Sequence, residues 1–391
     1  MITKIKDSSL ADYIAVVVIL LMAIGTVFVF SAGVNVSQEL DLRKFYNFAS
    51  LRQILFFPLA VLIMYLVSFF NYRRMSFAAG WFKSPTIYLL AVSIVLLILV
   101  LFPQIGTTIN QARRWLRISA GAVTMSFQPS ELAKWAVVFF LAAFCEKYRD
   151  NLDLYWRRFV PLCCVVGLAA GLVIIEDFGT AAYISLLAFM IFLIAGVKWW
   201  HILTPVPFAA VVFFWAIFHS PARTHRIAAF LDPEKWADSA AYQANQSLIA
   251  IGSGGLLGKG LGRGICKYGH LPEDTTDFIF AIIGEELGFV GVAAVILLFI
   301  IFVWLGILAV VRCKDHFGQL LAGGIVLAIT IQAAINIGVV TVVLPTKGIP
   351  LPFVSAGGTS MLLSAAAVGV LLNVVKQSAE SRFAGTEEKQ E

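Results

Sequence analysis

The hydrophobic positions of this chain fall into long apolar runs that are separated by short polar connections. Ten runs are long enough to cross a hydrocarbon core of about 30 Å, which takes about 20 helical residues. They lie near residues 11–33, 53–70, 84–103, 128–145, 159–176, 178–197, 201–218, 277–310, 317–343 and 357–376. Alternating strands of the kind that build membrane barrels do not occur in these runs, so the pattern predicts ten transmembrane helices.

Composition supports a membrane protein. Of the 391 residues, 60% are hydrophobic and 13% are charged, whereas soluble domains carry about 25% charged residues. We therefore expect an all-α polytopic membrane protein with a single transmembrane domain over residues 1–376. A polar tail over 377–391 is expected to be disordered. The five cysteines and five histidines show no disulfide framework and no metal-ligand spacing.

Lysine and arginine predict the orientation. With a cytoplasmic N-terminus, ten spans return the C-terminus to the cytoplasm, and Arg73–Arg74 and Arg157–Arg158 then lie inside, as basic clusters should. The opposite orientation would place these clusters outside in short loops. The preferred topology has one large extracytoplasmic loop, about residues 219–276, between helices 7 and 8. It also leaves many cations outside, and these need an anionic partner at the outer face.

The end of this loop, residues 242–288, combines many glycines with charges of both signs. Ionisable groups at a membrane entrance are costly, so the stretch is a candidate functional site. The phosphate-binding pattern GxxxxGK[ST] fails, because Gly260 follows Lys259, and a nucleotide site is not expected. The glycines instead favour close packing or a mobile loop. The charged residues are Lys259, Arg263, Lys267, Glu273, Asp274, Asp277, Glu285 and Glu286.

Asp277 is the main catalytic candidate. Thr276 is placed to cap span 8, which would put Asp277 in its first turn, where the helix dipole favours a carboxylate. Burial would raise its pKa instead. The alternative is an ordinary helix-start residue without a catalytic role.

Two further groups of charges stand out. Arg113, Arg114 and Arg117 cluster before span 4 and are expected to bind an anion. The alternative is that they are interfacial side chains whose charged ends reach the headgroup layer without binding a ligand. Glu131 and Lys134 share one face of span 4. They either form a structural ion pair or line a polar cavity into which a substrate enters.

Two connections are informative. Asp177, in the tight turn between spans 5 and 6, is expected to cap span 6. Pro345, Pro350 and Pro352 exclude regular helix between about 345 and 355. Since this segment is too apolar for a free loop, it is expected to be re-entrant and buried against protein, with Lys347 at membrane depth.

Four motifs together carry a family resemblance: ARRWL…FQPSELAK (112–134), DFGTA (177–181), YQ…GEELGFVG (242–291) and LPTKGIPLPFVSAGGTS (344–360). In this order they resemble the SEDS family (shape, elongation, division and sporulation) over essentially every span. The segment YQ…QSLIAIGSGG resembles the division members (FtsW) more than the elongation members (RodA). Glu176, where a proline usually precedes DFGT, and Gln111, before ARRW, depart from the family pattern.

The resemblance implies ten transmembrane helices with cytoplasmic termini and an activity: polymerisation of lipid II into glycan strands on the outer face of the bacterial inner membrane. Asp277 matches the family's essential aspartate. Substrate contacts are expected at the remaining matched or clustered positions: Arg113, Arg114, Glu131, Lys134, Glu273, Lys347, Ser355, Gly357 and Gly358.

The resemblance also implies partners and a location. The partners are lipid II, the nascent glycan strand, a class B penicillin-binding transpeptidase and other division membrane proteins, with no nucleic acid. The location is the bacterial inner membrane at the division septum. A divalent cation, Mg²⁺ or Mn²⁺, would assist departure of the pyrophosphate. Two alternatives stay open: a lipid II flippase or other transporter, and a non-enzymatic scaffold that activates a partner synthase.

Overall fold

The structure is a computed structural model that describes residues 7–33, 49–109, 112–120, 123–267 and 271–387. Each of the ten predicted runs coincides with helix. The helices that follow these runs are α1 (Asp7–Gly33), α2 (Ala49–Ser68), α3 (Pro85–Leu101), α4 (Pro129–Lys147), α5 (Val160–Ile174), α6 (Phe178–Ile194), α7 (Trp199–Leu203) with α8 (Pro205–Phe218), α11 (Ile279–Arg312), α12 (His316–Val340) and α13 (Gly358–Glu387). The polar and aromatic sequence of residues 34–52 predicts a short interfacial helix, which falls mostly outside the described residues.

Length and hydropathy mark the membrane-crossing helices. Within the described ranges, six helical segments are long and apolar enough to cross a bilayer: Ser9–Gly33, Tyr155–Ile174, Trp199–Phe218, Ile279–Arg312, His316–Val340 and Gly358–Glu380. Three shorter apolar helices cover Arg52–Ser68, Pro85–Leu101 and Phe178–Ile194. The chain is therefore a multi-pass membrane protein.

Helix α4 lies at the centre of the helical bundle. Its residues from Ala133 to Cys145 are all buried, and it packs against α3, α5, α6, α12 and α13. Pro129 occupies the first turn, as the sequence predicts, because a proline lacks the N–H that this position leaves unused. Buried apolar residues form one contiguous cluster that runs from Leu10 to Val375.

A small antiparallel sheet lies between α3 and α4, and it corrects the expectation of a purely α-helical chain. Its strands are β1 (Gly106–Ile109), β2 (Ala112–Ala120) and β3 (Val123–Phe127), in the order β1-β2-β3. Strand β2 carries the arginine cluster. The pairing of β1 with β2 shifts register here, since Thr107 pairs with Trp115 and Thr108 with Arg113, so Arg114 is the extra residue of a β-bulge.

The large loop between α8 and α11 contains two helices. Pro233 predicts a helix end just before it, and helix α9 (Pro221–Leu231) ends there with Asp232 as its C-cap. Helix α10 (Tyr242–Gly254) packs along α11. Close packing explains Gly254, because a Cβ there would overlap the backbone of Gly284. Backbone conformation explains Gly255, Gly260 and Gly262, whose φ angles are positive.

Helix α11 is interrupted at Gly288, whose φ of 66° is left-handed. The segment that follows α10 supplies hydrogen-bond partners to the interrupted backbone, as irregular structure at membrane depth requires. The bonds are Phe289 N–H to Gly255 O (2.9 Å), Val290 N–H to Leu256 O (3.2 Å), Lys259 N–H to Glu285 O (3.0 Å) and Gly260 N–H to Glu286 O (3.0 Å).

The C-terminal helix extends further than expected. Helix α13 continues to Glu387, so the prediction of a disordered tail from residue 377 is wrong over 377–387. Its polar side chains make local bonds: Gln377 Nε2 donates to Asn373 Oδ1 at 3.0 Å and Ser378 Oγ to Val374 O at 2.7 Å.

Candidate active site

Asp277 lies in the connection that leads into α11. The helix begins at Ile279 with Phe278 as its N-cap, so the prediction that Thr276 caps it is wrong, and Asp277 lies before the first turn. The hydroxyl of Thr276 instead donates to Glu273 Oε2 at 3.0 Å. A left-handed residue, Glu273 (φ 57°), bends the chain just upstream. A turn therefore presents the carboxylate, and the helix dipole does not account for its placement.

Polar side chains from α12 and from the segment before α13 hold this turn by its backbone. Asn336 Nδ2 donates to the carbonyl oxygen of Asp277 at 2.8 Å. Ser355 Oγ donates to the carbonyl oxygen of Thr276 at 2.5 Å and accepts from the N–H of Leu351 at 2.8 Å. Both bonding directions of the Ser355 hydroxyl are used, so this predicted substrate ligand fixes the position of the turn instead.

The proline-containing segment between α12 and α13 crosses the site. Ile349, Leu351 and Val354 are buried, as expected, whereas Val343 and Leu344 at its start are exposed. Asn336 Nδ2 also donates to Ile349 O, and Gln332 Nε2 to Pro350 O, at 2.8 and 2.9 Å. This brings Gly348 against the carboxylate: a Cβ at that position would lie 3.1 Å from Asp277 Oδ2 and 3.9 Å from Arg114 Nη1.

A second carboxylate, Asp177, completes the polar cluster. It caps α6 as predicted, by accepting from the N–H of Thr180 at 3.0 Å. It also forms an ion pair with Arg114, in which Arg114 Nη1 lies 3.4 Å from Asp177 Oδ2. Arg114 Nε donates to the carbonyl oxygen of Glu176 at 2.9 Å. The strand thus carries Arg114 to the turn that carries Asp177.

The surroundings raise the pKa of Asp277 to about 7, chiefly through burial, with the carboxylates of Glu273 and Asp177 adding to the rise. Arg114 and Arg226 of α9 act in the opposite direction. A carboxyl group with a pKa near neutrality exchanges a proton readily with a bound hydroxyl, which is the property of a general base.

The other predicted cationic ligands contact the turn that carries Asp177. Lys347 places its ammonium 4.9 Å from the ring centroid of Phe178, next to Asp177. Arg113 uses its backbone N–H to bind Glu176 Oε2 at 2.8 Å. Glu176 departs from the proline of the family pattern, and here it anchors the strand to the turn before α6. Arg114 and Lys347 are therefore the two predicted cations that flank the carboxylate cluster.

Glu131 and Lys134 form a buried pair within α4. Lys134 Nζ donates to Glu131 Oε2 and to Gln332 Oε1, both at 2.8 Å, and Ser360 Oγ donates to Glu131 Oε2 at 2.8 Å. The Lys134 side chain is 1% exposed. The geometry favours the structural alternative, in which the pair fastens α4 to α12 and α13.

The glycine pair has a packing role at the start of α13. A Cβ on Gly358 would lie 2.8 Å from the ring of Phe56 in α2. Gly357 has more room, since a Cβ there would meet nothing closer than 3.5 Å. Packing therefore requires glycine at position 358 but not at position 357.

The charged groups of the glycine-rich stretch are mostly structural. Glu285 and Glu286 are fully buried. Lys259 Nζ pairs with Glu285 Oε1 at 2.7 Å and Lys267 Nζ with Glu286 Oε1 at 2.9 Å. Ser31 Oγ of α1 donates to Glu286 Oε2 at 2.8 Å. These bonds hold the stretch to α11 and α1, and leave Asp277 as its candidate for chemistry.

Sequence reasoning missed three residues of this site. Asp177 was assigned only a capping role, and Gly348 and Asn336 were given none. The DFGTA motif could have indicated Asp177, since it is one of the four segments that carry the resemblance. Nothing in the sequence indicated Asn336, because an asparagine inside an apolar run can equally make an ordinary contact between buried helices.

The fold and site define a class: a multi-pass membrane protein with a carboxylate–arginine cluster where a loop enters a membrane helix. The family model described as cell cycle protein, FtsW/RodA/SpoVE, matches residues 11–380. The chain belongs to this family, which confirms the resemblance drawn from the four motifs.

Relatives match along nearly the whole chain. Stage V sporulation protein E of Bacillus subtilis is 36% identical over 376 residues, which cover 95% of this chain and 99% of that protein. The probable peptidoglycan glycosyltransferase FtsW of Coxiella burnetii is 34% identical over 371 residues, covering 94% and 96%. A relative of the same printed name from Geobacter sp. strain M18 is 40% identical over 280 residues, covering 71% and 75%.

Solved structures share the fold. The rod shape determining protein RodA of Thermus thermophilus is 25% identical, with a TM-score of 0.64 over 93% of this chain and 96% of that one. A chain from a peptidoglycan synthase complex that coordinates polymerization and crosslinking is 24% identical, with a TM-score of 0.72 over 93% and 97%.

Proposed function

We propose that this chain is a peptidoglycan glycosyltransferase that polymerises lipid II into glycan strands at the outer face of the bacterial inner membrane. The observation that carries the proposal is the Asp277 carboxylate, which has a pKa of about 7 and lies against Gly348 beside the Arg114–Asp177 pair. Relatives named probable peptidoglycan glycosyltransferase FtsW cover nearly all of the chain, which supports the same activity.

Asp277 acts as the general base. Its carboxylate takes the proton from the 4-hydroxyl of a lipid II sugar, and that oxygen attacks the anomeric carbon at the end of the growing strand. A glycosidic C–O bond forms while the bond to the lipid pyrophosphate breaks. Undecaprenyl pyrophosphate leaves with the electron pair. General-base assistance of this kind contributes about 10²–10⁴-fold to the rate.

Cations around the carboxylates receive the pyrophosphate. The leaving group gains negative charge as the bond breaks, so fixed positive charge nearby lowers the barrier. Arg114 and Lys347 flank Asp177, and Arg226 interacts electrostatically with Asp277. Arg113, on the same strand as Arg114, contributes to docking the lipid. Lys134 has a structural role in this scheme, since its ammonium is buried with Glu131 and Gln332.

A divalent cation fits the same cluster. Mg²⁺ usually takes one or two protein carboxylates together with substrate phosphates, and Asp177 and Asp277 supply two carboxylates. Among the described residues, no group of three or more histidine, cysteine, aspartate or glutamate side chains could hold a metal ion, so substrate oxygens would have to complete the coordination. Such an ion would stabilise charge on the pyrophosphate.

The full topology belongs to this proposal. Ten membrane crossings with both termini in the cytoplasm place Arg73–Arg74 and Arg157–Arg158 inside. They place β2, the large loop and Asp277 outside. The outer cations that exceed the positive-inside rule then have a reason, because the substrate is an anionic lipid. The proposed location is the inner membrane at the division septum.

The proposed partner is a class B penicillin-binding transpeptidase, together with other division membrane proteins. A chain of similar fold comes from a complex that coordinates polymerization with crosslinking, which supports an association between the two activities here. Polymerisation outside the membrane leaves strands that need crosslinking, so a transpeptidase alongside is the chemically matched neighbour.

The decisive experiment is a polymerisation assay on the purified complex with labelled lipid II. Wild type is expected to produce a ladder of glycan strands that persists with moenomycin, which inhibits unrelated polymerases. Asp277→Ala is expected to give no ladder while it purifies as a folded protein. Asp274→Ala, which removes a neighbouring carboxylate, is the matched control and is expected to keep the ladder.

A full ladder from Asp277→Ala would contradict the proposal. The flippase and scaffold alternatives make different predictions in the same preparation. A flippase would move labelled lipid II across proteoliposome membranes without forming strands, and a scaffold would give equal polymerisation by the complex whether residue 277 is aspartate or alanine.

A further inference from the structure

The interruption at Gly288 fixes the depth of one end of α11. The uninterrupted part, residues 289–312, is about 36 Å long at 1.5 Å per residue, slightly more than the hydrocarbon core of about 30 Å. Arg312 marks one boundary of that core, because a charged side chain is costly inside it. Phe289 therefore lies at the opposite boundary.

The segment from Gly255 to Ile265, here called the glycine loop, is seated at this boundary. Its backbone bonds to Phe289 and Val290 hold it level with the end of the spanning helix. Its apolar side chains are turned away from the protein. The exposed fractions are 73% for Leu256, 79% for Leu257, 56% for Leu261 and 56% for Ile265.

These side chains continue an apolar surface of α11. Phe289 is 64% exposed and Val290 56% exposed, and exposed residues further along the helix include Leu297 and Ile300. Helix residues at that depth face acyl chains. Since the glycine loop extends the same surface sideways at its boundary, lipid is the solvent that matches it.

Charge in the loop is arranged for the same environment. Arg263 is exposed, and Lys259 keeps 29% of its side chain exposed while it pairs with Glu285. Cations in the same loop as these apolar side chains are suited to bind lipid phosphates. The loop is also held firmly, because the N–H groups of Ile265 and Cys266 donate to the buried Glu285 carboxylate at 2.9 and 3.1 Å.

We propose that the glycine loop inserts Leu256, Leu257, Leu261 and Ile265 into the acyl-chain boundary of the bilayer, with phospholipid as its occupant. The loop is a membrane anchor beside α11. The chain runs on from Ile265 to the turn that carries Asp277. The anchor therefore sets the height of the carboxylate above the acyl chains, in the layer where lipid phosphates lie.

Fluorescence depth measurement tests this proposal. An environment-sensitive fluorescent amino acid is introduced by codon suppression at Leu257 in the full chain, which is reconstituted alone into nanodiscs of phosphatidylethanolamine and phosphatidylglycerol. Ile300, exposed on the spanning part of α11, is the membrane reference. Lys235, exposed in the large loop after α9, is the aqueous reference.

The expected result is a blue-shifted emission at position 257 that acyl-brominated lipids quench to at least half the extent seen at 300, with no quenching at 235. A spectrum at 257 that matches position 235 would overturn the proposal. So would a blue shift that appears only when a partner membrane protein is added. A second label at Leu261 guards against a local disturbance at 257 and is expected to give the same outcome.

A charge substitution gives an independent readout. Leu256→Glu together with Leu257→Glu is expected to abolish the quenching of a label at Leu261 while a label at Ile300 stays quenched. Retained quenching at 261 would contradict lipid insertion by the pair. Leu256→Met with Leu257→Met keeps the apolar character and is expected to leave both labels quenched.

Discussion

Asn336 holds Asp277 by its backbone rather than by its carboxylate: Nδ2 donates to the carbonyl oxygen of Asp277 at 2.8 Å. The same amide nitrogen donates to Ile349 O at 2.8 Å. One side chain of α12 therefore joins the turn that carries the carboxylate to the segment that carries Gly348. The distance between Asp277 and Gly348 depends on this bridge.

Substitution of Asn336 by leucine is expected to loosen the turn that carries Asp277. Leucine has a similar branched shape, adds no charge and has no N–H to donate, so the turn shifts, and a base displaced by about 1 Å costs as much as 10²-fold. Polymerisation is expected to fall about tenfold or more, with the concentration of lipid II at half-maximal rate little changed. Unaltered rates in Asn336→Leu would show that the bridge has no catalytic consequence.

The polymerisation rate is expected to rise with pH through about 7 and to level above 8. Asp277 accepts a proton only when it is ionised, and its pKa is raised to about 7, so the base is mostly protonated and inactive at pH 6. Initial rates at saturating lipid II between pH 5.5 and 9 measure the midpoint. A flat profile down to pH 5.5 would contradict a general base in this environment.

Neighbouring charges are expected to move that midpoint in opposite directions. Asp177→Asn removes a negative charge, which lowers the pKa of Asp277 and moves the midpoint to lower pH, while asparagine retains the cap of α6. Arg226→Gln removes a positive charge and moves it to higher pH. Shifts of the same sign in both variants would argue against electrostatic control of Asp277.

Gly348→Ala is expected to impair turnover without unfolding the protein. The added methyl group would lie 3.1 Å from Asp277 Oδ2 and 3.9 Å from Arg114 Nη1. The carboxylate must therefore move away from it, which changes its position relative to Arg114. A loss of about tenfold or more is expected in the ladder assay, with a thermal midpoint close to wild type. The matched control is Gly179→Ala, where the nearest atoms would be 3.5 Å away and activity is expected to persist.

The Glu131–Lys134 pair is expected to act on stability. Lys134→Met leaves the Glu131 carboxylate buried without its cation, and removal of one partner from a buried pair costs about 3–5 kcal/mol. A fall in the thermal unfolding midpoint checks this. Adding Glu131→Gln to Lys134→Met is expected to restore most of the loss. Normal stability with lost polymerisation in Lys134→Met would instead favour the substrate-cavity alternative.

Hydropathy predicted the helical architecture well because a bilayer imposes one dominant rule on spanning segments. The sheet before α4 was missed because the sequence of β2 carries no clear strand pattern. Arg113–Arg114 and Trp115–Leu116 are pairs of like character, so polar and apolar residues do not alternate there. The arginine cluster was interpreted as an anion-binding site.

The site was predictable only in part. Asp277 followed from a motif resemblance, whereas its contacts with Asn336, Gly348 and Ser355 join segments that are distant in the chain. No local pattern encodes such pairings. The same holds for Glu285 and Glu286, which resemble candidate catalytic acids in sequence yet are buried anchors, because only the folded loop reveals their partners.

The break in α11 has a consequence for biosynthesis. The backbone partners of Phe289 and Val290 are Gly255 and Leu256, which emerge from the ribosome about two to seven seconds earlier at 5–20 residues per second. The glycine loop is therefore made before the helix that requires it. When Phe289 and Val290 enter the membrane, the carbonyl groups that accept their N–H bonds have already been synthesised. The order of translation therefore favours insertion of the interrupted helix, because its free backbone groups can be paired at once.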